Sequence, residues 1–285
     1  MSKSQIACAF ESRECAVVRL KTSGSSGYTL CACKSLPFGL DDLAAGKGKR
    51  IMKKLGGYLR EWPQEEIALC VKPETYLPLP TSFPANATPE ECREFCRIEA
   101  GYFLSQPDSY QCDFTGYGNG NGLHERQLLL FYPATPCKTA YGHFAANRRV
   151  GFTGTPQLPL IHLSSLTDEP QVILELEENY VLLTISRKGR MEKFAFRQVK
   201  SREETEYFTI RKLLDNPLCR DTGVQVTGSK ADKAMIALIG RETSLTMKPL
   251  GLPRSIPISN PDKFALSSSA AVKAVSTALM GLAEE

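Results

Sequence analysis

Two acidic turns follow strand-like segments of this chain, about half a chain apart. In the first, an apolar run that begins at Ile6 ends at Glu11. In the second, a run that begins at Val172 ends at Glu175 and Glu177. Carboxylate oxygens are the ligands that magnesium prefers, but an unpaired carboxylate beside a phosphate repels it. The two turns therefore indicate phosphate and magnesium chemistry that is either present or lost.

Length and composition indicate an ordinary soluble protein. The chain has 285 residues, enough for a sizeable core and two lobes. Hydrophobic residues make up 42% and charged residues 23%, which is typical of globular proteins. A net charge of +4 is too weak to indicate nucleic-acid binding by itself.

The cellular location and the redox state of the cysteines are inferred from the apolar runs and from the N-terminal residues. No apolar run in the sequence approaches the roughly 18 residues of a membrane span, and residues 1–5 do not resemble a signal peptide. We therefore expect a cytoplasmic protein without a span of its own, recruited to the inner membrane, if at all, by a partner. The ten cysteines are then expected to be reduced thiols, and their spacing predicts no metal site.

The hydrophobic pattern predicts alternating strands and helices. Strands are expected at residues 6–10, 15–20, 28–35, 67–71, 127–132, 161–163, 172–185, 191–199 and 224–227. Helices are expected at residues 40–60, 88–104, 135–149, 201–214, 229–239 and 267–283. Thr88, Pro89 and Glu91 form a capping-box signature, Ser229 is a candidate cap, and residues 187–190 predict a turn. This order predicts an α/β protein with mixed sheets and a lobe boundary near Pro170.

Two glycine-rich stretches do not fit known phosphate loops. Residues 45–50 lack the spacing and hydroxyl of a P-loop, and residues 118–122 precede a strand instead of following one. The second stretch is therefore interpreted as a hairpin loop. The basic run, made up of Lys47, Lys49, Arg50, Lys53 and Lys54, is interpreted as a solvated helix face. A site for phosphate or an acidic partner is the alternative, and nucleic-acid binding is disfavoured because few aromatic residues accompany the charges.

The order and spacing of the segments resemble the PilM family of type IV pilus assembly proteins, within the actin-like ATPase superfamily that also holds FtsA. The segments that carry the resemblance are residues 66–80, 88–104, 127–149, 172–197, 224–228 and 280–283. The resemblance implies an actin-like ATPase fold, a duplicated RNase H-like α/β architecture of two lobes with a small inserted α+β subdomain. It places the first lobe at 1–73 plus 152–168, the subdomain at 74–151 and the second lobe at 169–285.

The chain departs from the family where phosphate would bind. The family's loops read Asp-x-Gly, whereas this chain has glutamate in place of glycine at Glu11 and Glu177, with an acid retained at Glu175. A carboxylate about 4 Å from a phosphate is repelled by ~4 kcal/mol at an effective dielectric of 20. The adenosine-side glycine pair is reduced to Gly228 and Ser229. The resemblance therefore implies a degenerate nucleotide site without catalytic residues, cofactor or metal.

The resemblance also implies a partner. It predicts a non-catalytic bacterial scaffold that binds the cytoplasmic tail of an inner-membrane protein in a pilus or type II secretion-like assembly. The residues predicted to bind that tail are Leu77, Leu79, Phe83, Phe95 and Leu129. The alternative for each is packing within the subdomain. The alternative function is an active ATPase or sugar-kinase relative that binds ATP and magnesium through Glu175; a homo-oligomer is compatible with either function.

Overall fold

The computed structural model describes residues 3–24, 27–118, 122–146, 148–261, 266 and 268–284. The chain divides into two compact units. The first contains Met1–Pro73, Ala134–Leu163 and Leu252–Glu285, and the second contains Glu74–Pro133 and Ser164–Gly251. No helix in the described part of the chain combines the length and the apolar character that a membrane crossing requires.

Groups of strands alternate with helices along the chain. The strands are β1 (Ser4–Phe10), β2 (Cys15–Ser23), β3 (Gly27–Leu36), β4 (Ile67–Val71), β5 (Leu77–Pro84), β6 (Tyr110–Gly116), β7 (His124–Pro133), β8 (Val150–Gly154), β9 (Gln171–Leu176), β10 (Tyr180–Arg187), β11 (Arg190–Gln198), β12 (Val224–Thr227), β13 (Met247–Pro249) and β14 (Ile258–Ser259). The helices are α1 (Leu40–Asp42), α2 (Gly48–Leu59), α3 (Pro89–Phe103), α4 (Ala134–Ala145), α5 (Gln157–Leu163), α6 (Arg202–Leu214), α7 (Leu218–Thr222), α8 (Lys233–Thr243) and α9 (Ser269–Glu284). A π-helical turn, Leu43–Lys47, joins α1 to α2, and a 3-10 turn, Pro107–Ser109, precedes β6.

The first unit is built on a six-stranded mixed sheet in the order β14-β3-β2-β1-β4-β8. Strand β1 lies near its middle, antiparallel to β2 and parallel to β4. Both β1 and β4 are almost entirely buried, and α9 packs against β1, β2 and β4. Strands that are buried on both faces read as continuous apolar runs, which is why these two were predictable.

The second unit repeats this plan in a five-stranded sheet of order β11-β10-β9-β12-β13. In each sheet three antiparallel strands come first and parallel strands follow, so the duplication expected of the fold is confirmed. Lys188 and Gly189 have φ angles of 51° and 74°, the two positive values of a type I′ hairpin turn. The predicted turn at residues 187–190 is therefore confirmed.

A three-stranded antiparallel sheet of order β5-β7-β6 forms the subdomain, which belongs to the second unit. Helix α3 packs on one face of this sheet. The predicted capping box is present: Thr88 accepts from the Glu91 backbone at 3.2 Å, and Glu91 accepts from the Thr88 backbone at 2.8 Å. Of the predicted glycine-rich hairpin loop, residues 119–121 lie outside the described residues.

The limits of the units differ from the predicted limits 74–151 and 169–285. Helix α4 contacts β4 and β8, and β8 pairs in parallel with β4, so both belong to the first unit. Helix α9 packs on the first sheet because its apolar side chains cover the buried strands there. Residues 74–133, the three strands and α3, group with the second unit instead of standing alone.

Three predicted elements are wrong in detail. Residues 161–163 belong to helix α5 and not to a strand, since a short buried apolar run does not distinguish the two. The helix expected to reach Arg149 ends at Ala145, before strand β8. Helix α8 is capped by Asp232, which accepts from the Met235 backbone at 2.7 Å, and not by Ser229.

Candidate functional site

The first acidic turn joins β1 to β2 in the first unit. The Glu11 backbone N–H donates to the Glu14 carbonyl at 2.8 Å, which closes the turn. The carbonyls of Glu11 and Ser12 each accept a backbone hydrogen bond of 2.9 Å from the start of α1. Gly39 makes this close approach feasible, because a Cβ there would lie 2.2 Å from the Glu11 carbonyl oxygen. Backbone hydrogen bonds thus hold the turn, and the Glu11 N–H is already bound to the Glu14 carbonyl.

The Glu11 side chain points to a buried lysine. The Lys273 ammonium of α9 donates to Glu11 Oε1 at 2.6 Å, and the Lys273 side chain is only 1% exposed. A second buried lysine, Lys72, follows β4 and donates through Nζ to Ser12 Oγ at 3.1 Å. The predicted repulsion of phosphate by Glu11 is therefore countered by Lys273. The carboxylate at this turn is already paired with a lysine of the same unit.

The second acidic turn lies in the second unit, and its first carboxylate is also engaged. Glu175 is 1% exposed and accepts a hydrogen bond of 2.6 Å from the Tyr180 hydroxyl. Burial, and then the negative charge of Glu175, raise the pKa of Tyr180 well above its ordinary value. The phenol therefore stays protonated and acts as the donor. One carboxylate oxygen of Glu175 is therefore already used within the protein.

The second carboxylate of this turn is held by the loop after β12. Glu177 is 2% exposed, and its Oε2 accepts from Ser229 Oγ at 2.7 Å. The Glu177 backbone N–H donates to the Tyr180 carbonyl at 2.9 Å, so it too is committed. The sequence placed Glu177 and Ser229 in one degenerate site, and the structure brings these two residues into direct contact.

Further contacts join the same two loops. Gly228 has a φ of 110°, and a Cβ there would lie 2.1 Å from the Leu176 carbonyl oxygen. The Lys230 backbone donates to that carbonyl at 3.0 Å, while its ammonium lies 2.5 Å from Glu178. Phosphate loops bind through free backbone N–H groups at glycines. Here the turn after β9 and the loop after β12 bind each other.

A polar cavity of about 380 Å³ borders these loops. Its lining residues are Glu178, Lys200, Ser201, Arg202, Thr205, Lys230, Asp232 and Met235. Ser201 and Asp232 use their side chains to cap α6 and α8. The described residues contain no group of three or more histidine, cysteine or acidic side chains arranged to hold a metal ion.

The five predicted partner-binding residues meet in one cluster, the subdomain core. Phe83 and Leu129 are 3% and 0% exposed, so they pack this core and do not reach solvent. Leu77, Leu79 and Phe95 are half-buried around them. The alternative, packing within the subdomain, holds for Phe83 and Leu129. A partner can reach only the half-buried three without opening the subdomain.

Strand β5 is an edge strand whose outer side is closed by prolines. It pairs with β7 along its whole length although positions 78, 80 and 84 are prolines. Proline has no N–H to donate, so in an uninterrupted ladder these positions must face away from β7. The outer edge then offers an N–H only at Ser82. A partner strand therefore cannot extend this sheet at β5.

Helix α3 exposes an apolar stripe that sequence reasoning missed. Ile98 and Tyr102 are 48% and 88% exposed. The neighbouring Phe103 is 46% exposed but is not counted in the stripe. Ile98 and Tyr102 continue from the half-buried Phe95 at the i+3 and i+7 positions of one helix face. The available signal was this spacing, but only the buried side of the helix was predicted from it. We call the three residues Phe95, Ile98 and Tyr102 the α3 stripe.

Two duplicated mixed sheets with an added three-stranded subdomain define an actin-like ATPase fold. The structure is similar to that of the PilM–PilN type IV pilus biogenesis complex, with a TM-score of 0.65, 12% identity, and coverage of 98% of each chain. It is also similar to a Bacteroides thetaiotaomicron protein with actin-like ATPase fold and unknown function, with a TM-score of 0.50, 8% identity, and coverage of 96% and 95%. The sequence matches no protein-family model and no curated protein.

Proposed function

We propose that this chain is a non-catalytic actin-like scaffold whose acidic turns have exchanged nucleotide contacts for internal ones. The observation that carries the proposal is the contact of 2.7 Å between Ser229 and the buried Glu177. By resemblance, this carboxylate corresponds to a glycine of the family's phosphate loops, and here it is already hydrogen-bonded. The Glu11–Lys273 pair supports the same interpretation at the other turn.

Binding of Mg-ATP would have to undo these contacts. A buried carboxylate that loses its donor costs about 1–3 kcal/mol, and repulsion from a phosphate about 4 Å away adds ~4 kcal/mol at an effective dielectric of 20. Together these terms weaken binding by a factor of roughly 10³ to 10⁵. Micromolar affinity for nucleotide would then become millimolar or weaker.

The proposed partner is a short cytoplasmic segment of a membrane-anchored assembly protein. PilM forms a type IV pilus biogenesis complex with PilN, and its structure shares this fold. In this chain the α3 stripe supplies exposed apolar anchors, the usual energetic centre of a peptide-binding surface. The closed edge of β5 favours recognition through side chains over addition of a strand.

One observation favours a second function, nucleotide binding without hydrolysis. The cavity of about 380 Å³ carries Lys200, Arg202 and Lys230 beside the second turn. A polar organic group such as a nucleoside fits a space of this size. Two of these cations are already paired, Lys230 with Glu178 and Arg202 with Glu206. We therefore rank this function second.

Partner binding in nucleotide-free buffer tests the first proposal. The probe is a synthetic peptide from the cytoplasmic start of a single-span membrane protein encoded beside this chain. We expect binding that Ile98→Glu and Tyr102→Glu each weaken at least tenfold, because a charge would be desolvated at an apolar anchor. The matched control is Arg93→Glu, on the same helix but off the stripe, which should leave binding within about twofold. Binding that requires ATP would contradict the proposal.

A further inference from the structure

Helix α2 in the first unit carries an exposed basic face. Its apolar row, Ile51, Leu55 and Leu59, is buried against the unit. On the opposite side are the exposed residues Lys49, Arg50, Lys53 and Lys54, which we call the α2 basic face. At 3.6 residues per turn these four cover roughly 140° of the helix circumference within about 7.5 Å of its length. The four cations are therefore presented to the same surface.

The protein does not neutralise this charge itself. Asp42, which precedes α2 in the chain, is already paired with Lys47 at 2.9 Å. Within the described residues, no ion pair involves any member of the α2 basic face. The helix sequence Gly48–Leu59 contains no acidic residue at all. Four cations therefore remain uncompensated on one face.

Local backbone and aromatic features add to this charge. Lys49 and Arg50 lie in the first turn of α2, where the helix dipole is positive. Positive side chains are unfavourable at this end of a helix, and the fold tolerates both of them. Tyr58 continues the row Arg50, Lys54, Tyr58 at i+4 spacing, is 39% exposed, and lies 5.8 Å below the Lys34 ammonium. Tyrosine beside lysine is typical of surfaces that meet lipid headgroups.

We propose that the α2 basic face binds the surface of an anionic phospholipid membrane. The buried apolar row prevents insertion, so attachment is electrostatic and rests on the four cations with Tyr58 at the headgroup level. Nucleic acid is the less favoured occupant, because Tyr58 is the one aromatic side chain on this face and base stacking needs several. This inference goes beyond the scaffold proposal and does not depend on a protein partner.

Vesicle co-sedimentation of the full chain tests the proposal without any partner. We expect binding to vesicles of phosphatidylcholine with phosphatidylglycerol, no binding to phosphatidylcholine alone, and release by high salt. Each cation near an anionic surface contributes about fivefold to partitioning, the factor that corresponds to ~1 kcal/mol. Lys53→Gln/Lys54→Gln should therefore lower partitioning about 25-fold. Lys49→Gln/Arg50→Gln is a second variant in case the first does not fold.

The matched control is Arg220→Gln/Lys248→Gln, which removes two exposed cations of the second unit and gives the same net charge. We expect this control to bind vesicles within about twofold of the native chain. Equal binding to neutral vesicles, equal loss in the control, or binding to single-stranded RNA with none to vesicles would each overturn the proposal. The RNA outcome would assign the face to nucleic acid instead.

Discussion

Lys273 and Glu11 form a buried ion pair of 2.6 Å although 262 positions separate them in the sequence. The pair ties the closing helix α9 to the first acidic turn within the first unit. A lysine that is 1% exposed needs such a partner, because an isolated buried ammonium is costly. The pair therefore gives Glu11 a structural role at this turn.

Removing only Glu11 should destabilise the first unit strongly. Glu11→Ala leaves the Lys273 ammonium buried without its carboxylate, at a cost of about 3–5 kcal/mol. Glu11→Ala/Lys273→Met should recover most of that loss, since an apolar side chain of similar size fills the space. Trp62, the one tryptophan, lies in the first unit, so its fluorescence during urea unfolding measures both variants. An equal loss in the double variant would show that the pair is not what stabilises the turn.

The Tyr180–Glu175 contact should make the second unit sensitive to alkaline pH. The pKa of Tyr180 is raised in the folded protein, so its contribution to stability is fully present below the unfolded value of 10.0. That contribution is lost as pH rises above 10, because the unfolded chain then releases the proton first. Tyr180→Phe should lower stability by about 1–3 kcal/mol at pH 8 and flatten the decline above pH 10. If calorimetric scans show the same loss of stability above pH 10 in Tyr180→Phe as in the native protein, that loss belongs to other tyrosines.

Substitutions in the subdomain core should lower the free energy of unfolding much more than substitutions on its surface. Phe83 is 3% exposed and packs in the subdomain core, so Phe83→Ala should cost about 3–5 kcal/mol. Ile98 is 48% exposed, and Ile98→Ala should stay within about 0.5 kcal/mol. Chemical denaturation of both variants provides the comparison. A neutral Phe83→Ala would mean that this residue is available to a partner after all.

The sequence was most informative where a local pattern determines structure. The capping box at Thr88 and Glu91 predicted the start of α3, and residues 187–190 predicted the hairpin turn, because both depend on neighbours in the chain. The apolar run at 161–163 was misread as a strand. Its length and composition suit either element, and only contact with α9 decides for a helix.

The candidate site was predictable in its residues but not in their partners. Glu11, Glu175 and Glu177 were recognised as acidic turns, yet Lys273 was not considered. Its signal was available, since a single lysine in the middle of the apolar helix Ser269–Glu284 indicates a buried partner. Ser229 was expected to cap a helix, but its hydroxyl is used by Glu177. Such long-range pairing leaves no periodic pattern in the sequence.

Cysteine reactivity offers a further test. Burial raises the pKa of Cys15 to about 12 and that of Cys33 to about 11, against an ordinary value of 9.0. At pH 8 we expect Cys15 to be alkylated about 10³-fold and Cys33 about 10²-fold more slowly than in the unfolded chain, because the thiolate is the reactive form. Mass spectrometry after iodoacetamide treatment measures each site. Equal rates in folded and unfolded protein would contradict these pKa shifts.

Calorimetric titration with Mg-ATP tests the central claim most directly. For the native chain we predict no binding heat up to millimolar nucleotide, because Glu177 and Glu11 are engaged by Ser229 and Lys273. Glu177→Gly combined with Glu11→Gly/Lys273→Met should restore measurable binding, whereas the control Ser229→Ala, which keeps both glutamates, should not. Micromolar binding by the native chain would contradict the account and make nucleotide binding the function to pursue.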